Sequence, residues 1–163
     1  MAANNRAQEV LRRLPEGKVA GVEVGVFSCK MSRVLKARRG LTLFMVDTWL
    51  PFRHVGAEEQ ERNYMTARSL GVAMRMDSVK ASEAFSDGSL DFVFIDADHS
   101  YEGVSRDIEA WYPKVKAEGL LCGHDYANPG DPCGMEVKRA VDEWAVKLGK
   151  TVEQGKDSTW FYR

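Results

Sequence analysis

Short apolar runs suited to buried strands alternate along this chain with segments whose apolar residues recur at helical spacing. That alternation leaves few architectures open. Val10, Leu11 and Leu14 give residues 1–17 one apolar helical face before Pro15 and Gly17 stop it, so an N-terminal helix is predicted to lead into the sheet. Runs at 19–24, 41–46, 72–76, 92–95 and 120–122 read as buried strands. Between them lie helices marked by Met31, Val34 and Leu35, by the charged stretch 57–70, by 79–85, and by Tyr101, Val104, Ile108 and Trp111 behind Ser100 as N-cap. Val137, Val141, Trp144 and Leu148 mark a last helix closed by Gly149, after which 151–153 and 159–162 flank a turn as a hairpin. Strands joined through helices pair in parallel with right-handed crossovers, giving a doubly wound α/β sheet.

Residues 1–163 fit one domain, large enough to bury a core without disulfides or metal staples. No apolar run approaches a membrane span, and the first residues lack the apolar stretch and cleavage site of a secretory signal. Cys29, Cys122 and Cys133 are odd in number and form no CxxC pair, which predicts reduced thiols in a cytoplasmic protein. A net charge of −1, with basic and acidic residues interspersed, gives no footprint for general nucleic-acid binding. The expected partner is a small molecule.

In an open parallel sheet, ligands bind beyond the carboxyl ends of the strands, where strand order reverses. Each predicted strand ends beside a carboxylate: Glu23 with Gly25, then Asp47, Asp77, Asp96 and Asp125. One such residue is ordinarily a turn or helix cap, but five converge on one sheet edge. In Glu23-Val-Gly25-Val-Phe27-Ser-Cys29, Phe27 and Cys29 stand where a nucleotide-binding turn commonly has further glycines. A dinucleotide pyrophosphate needs close backbone approach, so this acidic, glycine-poor turn argues against one.

From about Val19 onward, the order of motifs resembles the class I S-adenosylmethionine-dependent methyltransferases. The resemblance implies a Rossmann-like, mostly parallel seven-stranded sheet with an antiparallel C-terminal strand. It implies S-adenosylmethionine as cofactor, with Glu23, Gly25 and Phe27 around the methionine portion, Asp47 and Thr48 at the ribose, Asp77 and Ser78 near the adenine, and Asp96 and Ala97 completing the set. A cofactor with ribose hydroxyls, an ammonium and a sulfonium suits an acidic rim.

Phe94-Ile-Asp96-Ala-Asp98-His99-Ser-Tyr101 with Gly123-His124-Asp125-Tyr126 is similar to the small-molecule O-methyltransferases of that class. Many of those hold a divalent cation on the carboxylates after strands four and five. Asp96 and Asp125 match these positions, His124 or Tyr126 stands at the adjacent ligand, and magnesium or manganese is the implied ion. An imidazole at that place moves the preference away from magnesium. His99 matches a base that removes the acceptor's proton, with Asp96 beside it in the catalytic pair; without a cation, the carboxylates would orient His99. The alternative is a noncatalytic cofactor-binding or assembly module. With no inserted lid, the domain is expected to form a homo-oligomer. Trp49 either covers the adenosine or plugs the core, and Trp111, Trp144 and Trp160 are expected to pack.

Overall fold

The computed structural model describes residues 2–52 and 54–163, so Met1, the first residue of the predicted 1–17 helix, lies outside the described residues. Among the described residues the order is α1 (Ala2–Leu11), β1 (Val19–Val24), α2 (Lys30–Leu35), β2 (Leu41–Asp47), α3 (Ala57–Leu70), β3 (Val72–Arg75) and α4 (Ser78–Ser82). β4 (Leu90–Ile95), α5 (Tyr101–Trp111), β5 (Val115–Gly123), α6 (Gly134–Lys147), β6 (Val152–Gln154) and β7 (Trp160–Tyr162) complete it.

All seven strands form one sheet in the order β3-β2-β1-β4-β5-β7-β6. β1 pairs in parallel with β2 on one side and β4 on the other, which makes their junction the point where strand order reverses. β7 runs antiparallel to both β5 and β6, as the terminal hairpin predicts.

Period-2 alternation divides the apolar residues between two cores. Val22, Val24, Val93, Ile95 and Leu121 face Ile108, Trp111 and Val141 of α5 and α6. Leu43, Met45, Phe92, Phe94 and Cys122 face Ala7, Val10, Met31, Leu35 and Ala67 of α1 to α3. Burying a large apolar side chain such as Phe92 contributes about 1.5–3 kcal/mol. Gly21 makes room for that ring: a Cβ there would meet Phe92 at 2.0 Å.

Several element bounds differ from those the sequence predicts, most by one or two residues, and four of the differences have a clear local cause. α1 ends at Leu11, and Leu14 packs on the core from the following turn. α4 covers Ser78–Ser82 rather than 79–85, because Asp77 accepts from the Lys80 backbone N–H and caps it one residue earlier. β2 continues through Asp47, with Met76 N–H on the Asp47 carbonyl. β5 begins at Val115, well before the apolar 120–122, because Val115 pairs with Leu90 and a register shift then absorbs the polar stretch. Ser100 caps α5 as predicted, accepting from Gly103 N–H at 3.0 Å.

Candidate active site

Glu23 pairs across the sheet with Met45 and Phe94 and therefore points to the α1–α3 face with them. Asp47 and Asp96 lie two positions beyond those partners, at the ends of β2 and β4. Strand register alone brings three carboxylates to one corner of the sheet. Glu23 is buried and accepts from Ser32 Oγ of α2 at 2.6 Å. Burial pushes its carboxyl up to about 8, opposed by the Ser32 hydrogen bond and the Arg6 charge and assisted by Asp96 and Asp47.

The turn after β1 takes positive φ at three positions, of which only the first is a glycine. Gly25 has φ 84°, and a Cβ there would lie 2.0 Å from the Asp96 carbonyl oxygen. Phe27 and Cys29 also adopt left-handed conformations, with φ of 50° and 60°. Such a conformation costs a side-chain-bearing residue roughly 1–2 kcal/mol. Asp47 offsets that cost: its Oδ2 accepts from Phe27 N–H at 2.8 Å and its Oδ1 from Trp49 N–H at 2.7 Å. Trp49 Nε1 returns a hydrogen bond to the Phe27 carbonyl at 3.2 Å. Trp49 is buried against Tyr64, with ring centroids 5.0 Å apart, and so plugs the core rather than covering a ligand.

His99 stands on the loop between β4 and α5, held from both ring nitrogens. Nδ1 lies 2.7 Å from Asp131 Oδ2; Nε2 lies 3.2 Å from Asp125 Oδ2 and 3.4 Å from Asp96 Oδ1. Asp96 against Nε2 does most to raise this imidazole; Asp125 and Asp131 add to it, and together they outweigh burial and push it up to about 9. Asp96 Oδ2 accepts from Arg6 Nη1 of α1 at 2.6 Å. Asp125 adopts φ 59° and receives Asn128 Nδ2 on Oδ1. Burial alone would raise Asp125, but His124 and Asn128 at its oxygens and the charge of His99 prevail, holding it at about 2.

His124 follows β5 with its side chain 10% exposed, and neither ring nitrogen has an aligned hydrogen-bond partner. Nδ1 lies 2.9 Å from Asp125 Oδ2, off the ring N–H direction, and 3.7 Å from Asp96 Oδ1, beyond hydrogen-bond reach. Asp96, His124 and Asp125 each offer one donor atom within 4.8 Å of the others. An orphaned buried imidazole between two carboxylates fits a divalent cation.

The comparisons with known proteins fit this arrangement. The sequence model of a family described as a methyltransferase domain matches residues 19–126, which contain β1 to β5 and every strand-end carboxylate named above. The chain belongs to this methyltransferase-domain family. The protein y4gI of Sinorhizobium fredii is 31% identical over 88 residues, covering 50% of this chain and 10% of that one. The chain thus spans about a tenth of the length of that curated relative. Among solved structures, the O-methyltransferase NovP superposes with TM-score 0.66 at 18% identity, over 99% of this chain and 77% of that one. A SAM-dependent methyltransferase from Aquifex aeolicus gives 0.62 at 13% identity, over 98% and 89%. Both share the fold.

Within the methyltransferase domain, the remaining predicted residues sit at varied distances from this corner. Thr48 and Ala97 are exposed on the loops after β2 and β4. Asp77 caps α4 and pairs with Arg106 at 3.2 Å, beside an open cleft of about 430 Å³ lined also by Val79, Glu109 and Ala110. Ser78 Oγ accepts from Trp111 Nε1 at 2.8 Å and bonds Asp107, so its hydroxyl serves the core and only its backbone remains for a ligand. Tyr126, the other candidate beside Asp125, bonds Asp142 through its hydroxyl, whereas His124 faces the carboxylates.

Sequence reasoning missed Arg6 and Asp131. Arg6 is carried by the N-terminal helix beside the buried Ala7, and no spacing in the sequence couples it to Asp96. Asp131 lies in Asn128-Pro-Gly-Asp131, which reads as turn chemistry; only the folded loop turns it back to His99.

Proposed function

We propose that residues 1–163 act as one methyltransferase domain, transferring a methyl group from S-adenosylmethionine to a hydroxyl of a small molecule. The carrying observation is His99, its Nδ1 fixed by Asp131 and its Nε2 turned toward Asp96 and Asp125 at the strand ends. The glycine-type backbone at Phe27 and Cys29 and the carboxylates Glu23 and Asp47 support the cofactor assignment. The cofactor's sulfonium supplies an already activated methyl group, so the protein's task is to align an acceptor and remove its proton.

In this reading Asp47 accepts from ribose hydroxyls with the lone pairs left by Phe27 and Trp49. The buried Glu23 carboxyl offers a hydrogen-bonding group and Arg6 a positive charge for the amino-acid end. Asp131 holds the Nδ1–H tautomer of His99, leaving Nε2 to take the hydroxyl proton as the acceptor oxygen bonds to the methyl carbon and the carbon–sulfur bond breaks. A divalent cation held by Asp96 and Asp125 with His124 would add Lewis acidity at the acceptor oxygen and offset the field that keeps His99 protonated.

Among the described residues no helix is long and apolar enough to cross a membrane. A cytoplasmic setting belongs to the same proposal and is supported by three free cysteines. Self-association is supported by Leu50 after β2 and Met135 at the start of α6, both exposed. The test is calorimetry with S-adenosylhomocysteine, then incubation of methyl-labelled S-adenosylmethionine with catechol and sugar hydroxyl acceptors plus magnesium or manganese. Label in an O-methyl product supports the reading. Tight cofactor binding with no transfer across the panel points instead to a noncatalytic module.

A further inference from the structure

The terminal hairpin brings a second orphan to the first. Asp157 Oδ2 is buried without a hydrogen-bond partner and lies 3.8 Å from His124 Nε2, itself buried and unpartnered. On the opposite edge of the ring, Nδ1 faces Asp96 and Asp125. Asp157 and Ser158 both have positive φ, 56° and 52°, and the Ser158 carbonyl accepts from Tyr126 N–H at 3.0 Å. The hairpin turn is thereby tied to the loop that carries His124 and Asp125.

These placements constrain the protons. A carboxylate facing Nε2 favours the tautomer with hydrogen on Nε2, which leaves a lone pair on Nδ1. That lone pair then confronts carboxylate oxygens at 2.9 and 3.7 Å, acceptor against acceptor. A ring proton on Nδ1 does not relieve the conflict, because the Asp125 oxygen lies off the N–H direction and the Asp96 oxygen is beyond hydrogen-bond reach. A cation between them does: donor atoms sharing one ion at ~2.0–2.2 Å are spaced about 3 Å apart.

We propose that Asp157 is a positioning residue whose carboxylate charge behind the ring keeps the proton on His124 Nε2, making His124 Nδ1 a ligand beside Asp96 and Asp125, so that the site selects a borderline transition-metal ion over magnesium. The inference rests on the cation site proposed above. Magnesium prefers oxygen donors and retained water, whereas manganese, cobalt and zinc accept imidazole. A carboxylate behind the ring raises its basicity and fixes its orientation.

The test measures Mn²⁺ and Mg²⁺ affinities by calorimetry and ¹⁴N couplings of bound Mn²⁺ by pulsed electron paramagnetic resonance, with S-adenosylhomocysteine affinity recording the integrity of each variant. Wild type should bind Mn²⁺ at least tenfold more tightly than Mg²⁺ and show a directly bound imidazole nitrogen. His124→Asp, or His124→Asn should the first fail to fold, should abolish that coupling, while His99→Asn retains it. Asp157→Asn should weaken Mn²⁺ by about 10- to 100-fold, with a smaller loss for Mg²⁺. Equal Mn²⁺ and Mg²⁺ affinities, nitrogen coupling that survives both His124 substitutions, or an unchanged metal ratio in Asp157→Asn would overturn the proposal. Wild type that binds S-adenosylhomocysteine but neither ion removes the cation site and leaves the methyl-transfer reading standing. Wild type that binds neither cofactor nor ion overturns both.

Discussion

Arg6 Nη1 meets Asp96 Oδ2 at 2.6 Å, joining the first helix to the end of the fourth strand across 90 positions of sequence. Both side chains are about one-fifth exposed, and Arg6 Nε is buried with no hydrogen-bond partner. The guanidinium is thus only partly used by Asp96, whose charge would otherwise repel an amino-acid carboxylate at this corner.

Replacing Arg6 by alanine should therefore weaken S-adenosylhomocysteine binding by about 10- to 100-fold, the usual range for a hydrogen bond to a charged group. Adenosine, which lacks the amino-acid end, should lose less than threefold. Calorimetry with the two ligands separates recognition of the carboxylate from general damage. Equal losses for both would assign Arg6 to structure alone.

Asp47→Ala should cost about 1.5–3 kcal/mol of S-adenosylhomocysteine affinity, because ribose hydroxyls lose a charged acceptor. The substitution also strips Phe27 and Trp49 of their N–H partner, so the turn after β1 should loosen. Amide exchange at Phe27 and Trp49 in the unliganded variant should accelerate. Unchanged affinity in a folded variant would take Asp47 out of the site.

His99→Ala should slow methyl transfer by ~10²- to 10⁴-fold, with cofactor affinity nearly constant. Asp131→Asn should give a smaller loss in kcat at unchanged cofactor affinity, since its contact at 2.7 Å fixes the ring but touches no reactant. Rates measured on one identified acceptor decide this. Full activity in His99→Ala would end the base assignment.

Glu23 predicts a pH dependence of stability. Its carboxyl stands at about 8 in the fold against 4.5 for an ordinary glutamate. Between those values the folded chain binds more protons than the unfolded one, so this residue's contribution is fully present below about pH 4.5 and is lost as pH rises through about 8. Glu23→Gln should therefore raise the Tm relative to wild type at pH 8.5 by several degrees more than at pH 5. Parallel melting curves for the two proteins across this range would contradict the burial argument.

The alternation of apolar runs determined the strands, their parallel pairing and the corner where strand order reverses, because period-2 and helical patterns depend only on local geometry. For the same reason, carboxylates at strand ends were visible before any coordinates: Glu23, Asp47 and Asp96 follow from register. Glycine loss at Phe27 and Cys29 made the turn look altered, yet tertiary contacts to Asp47 and Trp49 hold the glycine-like backbone in place. Trp49 could not be placed by sequence, since a loop tryptophan is compatible with either core or ligand until Tyr64 is seen against it. Arg6, Asp131 and Asp157 reach the site from a distant helix, a loop and a hairpin turn, over separations that no periodicity encodes. Local pattern determined the sheet and its acidic edge; only the folded chain decided which charges and imidazole nitrogens face one another, because those pairings depend on how loops close in three dimensions.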